Sequence, residues 1–247
     1  MEQPKEVYFF ATCLVDLFYP NAGVSAIQLL KREGLEVIFP QAQSCCGQPA
    51  FNSGHRDEAR EVARAQLALF PKDIPIVLPS GSCAGMMFKH YPELFEGDQD
   101  FDLALNVSKR VYEFSDFLVN ELKVTLKDLG EPVKVTWHPS CHSQREMGVV
   151  EQPKELIAQL ENVELITLQR EKECCGFGGT FAVREPEISA AMVSDKVDDA
   201  ENTKASHLLS GDCGCMMNIS GHMEYRDSDM KAQHLAEFLW ERTNVSR

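Results

Sequence analysis

Short apolar runs alternate with amphipathic stretches along the whole chain. "VYFFATC" is rich in strand formers, Asn21–Arg32 reads as a helix, and "LEVIFP" is a second short apolar run. Gly54–Phe70 places Ala59, Val62, Ala63, Leu67 and Phe70 on one helical face, and "IPIVLPS" predicts a third strand. Val107, Val111, Phe114, Leu118 and Leu122 form a stripe of 3.6-residue period, which predicts one closing helix through all five. The rest of the chain repeats this plan. Strands are expected at Val133–Trp137, "VELITL" and "SHLLS", and helices over Pro153–Leu160, within Ile188–Asn202 and around Ala232–Arg242. Strands alternating with helices predict βαβ units with parallel strands, an α/β fold.

The cysteines repeat as well. One series is Cys13, Cys45-Cys46 and Cys83; the other is Cys141, Cys174-Cys175 and Cys213 with Cys215. Cys13 stands 32 positions before Cys45, and Cys141 stands 33 before Cys174. Cys83 follows Cys45 by 38 positions, and Cys213 follows Cys174 by 39. Flanking residues agree too: "SGSCAGMM" parallels "SGDCGCMM", and "DFLVNEL" parallels "EFLWERT". The expectation is a tandem duplication of two Rossmann-like domains, residues 1–128 and 129–247, hinged near Lys127–Pro132. Each cysteine group follows a predicted strand closely, at the carboxyl edge where open α/β sheets bind ligands.

Charge and composition narrow the chemistry. The formal net charge of −14 gives no basic face for nucleic acid or an anionic membrane. The N-terminal stretch has no basic region before its short apolar run, so neither a secretion signal nor a membrane span is expected. That predicts a cytoplasmic protein, in which nine cysteines serve metal or redox chemistry rather than disulfides. Neighbouring cysteines bond to each other only with severe strain. They also make a poor chelate for one zinc ion, which takes pairs spaced by two to four residues. Adjacent thiolates suit a multi-iron cluster, where they reach different irons, and the following Gly47 and Gly176 allow φ > 0 and close backbone approach. Cys13, Cys45, Cys46 and Cys83 supply four sulfurs for one such cluster; Cys141, Cys174, Cys175, Cys213 and Cys215 supply five for another.

Several stretches carry a family resemblance: "ATCLVDLFYPNAG", "CCGQPAFNSG", "PSGSC", "HPSCH", "CCGFGGTFAV", "GDCGCMMNISG" and "HLAEFL". Over nearly the whole length, the chain resembles the paired CCG cysteine-rich domains. The CCG-bearing chain of heterodisulfide reductase and the iron–sulfur subunits of glycolate oxidase share that pattern, and lactate-utilisation protein A is the most similar. The resemblance implies one [4Fe–4S]-type cluster per half, with zinc possible in one half. It implies an iron–sulfur electron-transfer subunit that works with two partner proteins to oxidise L-lactate to pyruvate. The wider pattern ends each half in C-x-x-C, whereas here Met86 and Met216 occupy the second position. Thiol–disulfide chemistry of the heterodisulfide reductase kind, and a zinc-stabilised scaffold without redox work, are the competing readings.

Other motifs add little. "GFGG" at Gly176–Gly179 lacks the third glycine of a dinucleotide fingerprint, since Phe181 stands there, so its amides are expected to serve cluster sulfurs. His138 and His142 flank Cys141; either a ligand or proton-donor role, or a hydrogen-bonded histidine orienting the loop, fits that placement. Arg145 and Arg184 are expected on surface helices, and Met86–Phe88 and Met216–Met217 as packing under a cluster loop. No Ser-His-Asp series, P-loop, H-E-x-x-H or ferredoxin-type cysteine run is present, so no catalytic residue is assigned.

Overall fold

The computed structural model describes residues 4–244. Residues 4–113 contribute β1 (Glu6–Phe9), β2 (Glu36–Ile38), β3 (Ile76–Leu78) and β4 (Val111–Glu113), which lie in the order β2-β1-β3-β4. The second sheet contains β5 (Val133–His138), β6 (Val163–Ile166), β7 (His207–Ser210) and β8 (Lys231–His234), in the order β6-β5-β7-β8. All pairings are parallel. The strands are short and largely apolar because both faces of each sheet are covered.

The registers superimpose the halves residue by residue. Tyr8 pairs with Ile38 and Ile76, as Thr136 pairs with Ile166 and Leu208. Phe9 therefore corresponds to Trp137, Val77 to Leu209 and Leu78 to Ser210. Period-two alternation sends Val7, Phe9, Val77, Val135, Trp137 and Leu209 into one core shared by the two sheets. Tyr8, Phe10, Ile76 and Leu78 face outward beneath the helix Arg56–Leu67. Leu208 does the same beneath the helices Pro186–Asn202 and Cys213–Tyr225.

The predicted closing helices need correction in both halves. The stripe from Val107 to Leu122 is interrupted: a helix ends at Ser108, β4 intervenes, and helical structure resumes at Phe114. Likewise Ala232 lies in β8, and the final helix starts only at Leu235. A three- or four-residue strand that runs straight into a helix leaves no loop to mark it, and its inward residues happen to keep helical spacing. The last strand residue caps each helix. The Glu113 carboxylate accepts from Ser115 N–H at 2.8 Å, and His234 Nδ1 accepts from Ala236 N–H at 3.1 Å.

Each half's closing helix packs on the other half. The helix Leu235–Thr243 lies against Pro20–Arg32, and the helical turn after Phe114 lies against Gln152–Ala158. The segment expected to hinge is instead pinned. Asp128, its side chain fully buried, accepts from Arg242 at 2.7 Å, and the same guanidinium donates to the Glu131 carbonyl.

A second cross-half tie is titratable. His90 lies 3.0 Å from Glu146 and 2.8 Å from Glu93, which also pairs with Arg56. The bond to Glu146 first, and that to Glu93 next, lift the His90 pKa above its ordinary value. A raised folded value means that this stabilisation is complete below about pH 6.5 and fades as pH climbs through the folded value. Denaturation midpoints of the wild type and His90→Gln are therefore expected to converge between about pH 6 and pH 9. A gap that widened with pH would contradict the pairing.

Candidate metal centres

Cys13 follows β1 and is the first residue of the helix Cys13–Phe18. Its predecessor Thr12 has φ 73°, a left-handed conformation that is costly for a β-branched residue and is held by the surrounding turn. Cys45 and Cys46 sit in the loop after β2, and Cys83 lies in the helix Gly81–Gly85 that follows β3. Three segments thus deliver sulfur to the carboxyl edge of one sheet. The thiols form a chain: Cys13 contacts Cys45, Cys45 contacts Cys46, and Cys46 contacts Cys83. Cys45 receives hydrogen bonds from Cys13 and Cys46, then from the amides of the turn, so its pKa falls and negative charge settles there. A cavity of about 390 Å³ opens beside this set, lined by Cys13, Cys45, Asp16, Gln41 and Gln43.

The second half builds the same chain with different parts. Cys141 contacts Cys174, Cys174 contacts Cys175, and Cys175 contacts Cys215. Cys174 is the thiol driven toward thiolate, by Cys141 first and Cys175 second. In both loops a glycine is required. Gly47 and Gly176 have φ of 88° and 83°, and their amides approach Cys45 and Cys174 Sγ at 3.4 Å. A Cβ on Gly47 would come within 3.2 Å of the Ala59 carbonyl oxygen; on Gly176 it would come within 2.8 Å of the Ser189 carbonyl oxygen.

Cys213 does not join this set. It is fully buried in the shared core with Leu209, Leu235 and Leu239, and burial pushes its thiol pKa up. The sequence match of "SGSC" to "SGDC" aligns Cys83 with Cys213, but the strands align Leu78 with Ser210. Five residues beyond those positions stand Cys83 and Cys215, each the third residue of its helix. The C-x-C spacing is thus a two-residue shift of the helix start. The Asp212 side chain caps that start, accepting from Gly214 and Cys215 N–H at 3.0 and 3.2 Å.

The two sites adjoin. Gln48 and Ser82 of the first half line the small cavity that holds Cys141, Cys174, Cys175 and Cys215. Ser53 and Thr180 hydroxyls meet at 2.7 Å, joining the two cysteine-pair loops, and Gly81 N–H donates to the Gly211 carbonyl at 3.1 Å. Two buried groups were not singled out by the sequence. Asp212 accepts from Ser82 N–H at 2.7 Å across the halves. Lys196 is 1 % exposed and donates to the Arg170 carbonyl at 2.6 Å, with burial lowering its pKa.

The histidines separate. His142 is half-buried with Nδ1 3.6 Å from Cys141 Sγ. His138, the last residue of β5, is buried, and neither ring nitrogen has a hydrogen-bond partner among the described residues. Burial first, and Lys196 second, drive its pKa down to about 3, which leaves a neutral imidazole with a free lone pair. Its nitrogen and the sulfurs of Cys175 and Cys215 lie within 4.8 Å of one another.

The CCG cysteine-rich domain family matches the chain twice, over residues 7–88 and 135–220. The chain belongs to the CCG cysteine-rich family. The CCG chain is also 43% identical over 237 residues to lactate utilization protein A of Geobacillus sp. (strain WCH70), spanning 95% of this chain and 98% of that one. It is 43% identical over 237 residues to lactate utilization protein A of Oceanobacillus iheyensis, spanning 95% and 96%. A crystal structure of a hypothetical protein from Helicobacter pylori shares the fold at TM-score 0.66 and 11% identity; the CCG chain is covered completely and spans half of that chain's length. Among the described residues no helix of the CCG protein is long and apolar enough to cross a membrane.

Proposed function

We propose that this protein acts in lactate utilisation as an iron–sulfur electron-transfer subunit. It would work in the cytoplasm with two partner proteins that together oxidise L-lactate to pyruvate. The observation that carries this reading is the pair of thiol chains at the carboxyl edges of two equivalent sheets, in a chain similar to lactate utilization protein A over 95% of its length. One [4Fe–4S]-type cluster would be held by residues 1–128 through Cys13, Cys45, Cys46 and Cys83. The other would be held by residues 129–247 through Cys141, Cys174, Cys175 and Cys215, with Cys213 serving the core. Bound clusters supply one-electron redox chemistry.

The chain's own residues supply the rest. Cys45 and Cys174 collect the negative charge and point it at the ligand. Gly47 and Gly176 aim amides at those sulfurs, which stabilises the more reduced charge state. The abutting loops at Ser53 and Thr180 bring the two sites side by side, as a relay needs. Leu17 and Phe18, at 70% and 60% exposure next to the first site, give a partner an apolar landing point. The chain offers no flavin or nicotinamide fingerprint, so removing a hydride from the hydroxy acid is left to a partner.

The test starts from protein purified without oxygen, with iron, zinc and acid-labile sulfide counted per chain beside an EPR spectrum. About eight irons with matching sulfide support two clusters; about four with one zinc make the halves unequal; zinc alone after attempted reconstitution refutes electron transfer. Lactate oxidation by the partner proteins, measured with and without this chain, is expected to require it. Full activity in its absence would refute the role.

A further inference from the structure

His138 is the one buried side chain at the cysteine sites that the thiol-based reading leaves unused. Both of its nitrogens are buried without a hydrogen-bond partner among the described residues, although a neutral imidazole offers one donor and one acceptor. Buried polar groups are rarely left so, and an orphan of this kind calls for a ligand or ion to satisfy it. Its surroundings identify the ligand's chemistry. The ring lies within 4.8 Å of the Cys175 and Cys215 sulfurs, the two thiols at the inner end of the second chain. Two sulfur or nitrogen ligands on one tetrahedral ion stand about 3.3–3.8 Å apart, so small side-chain shifts close the set.

The halves differ at this point. The register that places Phe9 on Trp137 places Phe10 on His138. Phe10 is fully buried and packs edge-on against Phe70, with no donor to offer. The duplication has therefore kept an apolar residue beside one cysteine set and an imidazole beside the other. His142, the other candidate, has a thiol partner and is only half-buried, so it does not share the deficit.

Building on the proposed metal-holding role of the cysteines, we infer that His138 is a direct metal ligand. The second site would then hold a thiophilic ion, zinc or an iron of a cluster, through a mixed imidazole–thiolate set. The first site is all thiolate. A neutral imidazole in place of an anionic thiolate leaves the site one negative charge poorer, which raises its reduction potential relative to an all-sulfur site if the ion is iron. The halves would then differ in potential, and electrons would settle on the second.

The full chain, stripped of metal and reloaded anaerobically with Co²⁺ alone, tests this by pulsed EPR, because cobalt reports a nitrogen ligand whatever the native metal is. Wild type is expected to show a directly bound nitrogen that changes isotope when the protein is labelled with ¹⁵N-histidine. His138→Phe, which installs the residue of the first half, is expected to lose that coupling and to bind one cobalt at least tenfold more weakly, while the first site keeps its own. If the variant fails to fold, the labelled wild type still decides. Cobalt bound to the cysteines without nitrogen coupling, or coupling that survives in His138→Phe, overturns the inference and leaves the proposed cysteine sites standing. Failure to bind cobalt in either half overturns those sites and the inference with them. Zinc and iron counts on the protein as purified, in wild type and variant, then identify which ion occupies the second half.

Discussion

Cys215→Ser is expected to empty the second site, whereas Cys213→Ser is expected to leave metal content unchanged and lower stability by about 1–3 kcal/mol. The two residues are separated by one glycine, yet their environments differ in kind. Cys215 contacts Cys175 and lies in the donor group with His138. Cys213 is 0% exposed among Leu209, Leu235 and Leu239 and has no thiol contact comparable to that of Cys215. Serine at 215 removes a thiolate that a thiophilic metal requires; serine at 213 buries a hydroxyl where a sulfur packed as a small hydrophobe. Metal and sulfide per chain, beside urea denaturation of each variant, separate the outcomes. Metal lost from Cys213→Ser with Cys215→Ser fully loaded would reverse the assignment and restore the alignment that the sequence suggests.

That alignment shows where sequence reasoning works and where it stops. The α/β class and the duplicated plan of strands and helices were legible, because short apolar runs bounded by prolines and charged turns leave few alternatives. So was the placement of Cys13, Cys45-Cys46 and Cys83 after successive strands, and of Cys141 and Cys174-Cys175 in the second half. The fourth strand of each sheet was not. Val111–Glu113 and Lys231–His234 are too short to show alternation, and each passes directly into a helix whose apolar stripe absorbs them. The exchange of Cys213 for Cys215 was hidden for a different reason. Identical local letters, "SG" and "MM", imply equal positions, but the helix begins two residues later where Asp212 replaces a serine as its cap. His138 was visible as a candidate with two roles open to it. The deciding signal was the strand itself: in "VKVTWH" alternation puts Trp137 into the core and turns His138 to the opposite face, toward the sulfurs.

Asp212→Ala is expected to cost about 2–5 kcal/mol, the sum of a lost helix cap and buried donors left without an acceptor. The side chain is 2% exposed and uses both oxygens. Oδ1 holds the Gly214 and Cys215 amides, which fixes the turn that aims Cys215. Oδ2 accepts from Ser82 N–H at 2.7 Å and from the Ser140 hydroxyl at 3.3 Å, so it reaches the residue before Cys83 and the residue before Cys141. One carboxylate thus ties together the backbone beside cysteines of both sites. Alanine strands the Ser82 amide in a place water does not reach, and the serine hydroxyls lose their acceptor. Asn would keep the cap only by turning its amide group toward the Ser82 N–H, donor against donor, so Asp212→Asn is expected to recover part of the cap and little of the rest. Thermal or urea unfolding measures the cost, and metal per chain is expected to fall in both halves at once. A drop confined to the second site would mean that the first half holds Cys83 in place without this cross-half bond. A loss of stability under about 0.5 kcal/mol would mean that the carboxylate is not the joint that its contacts describe.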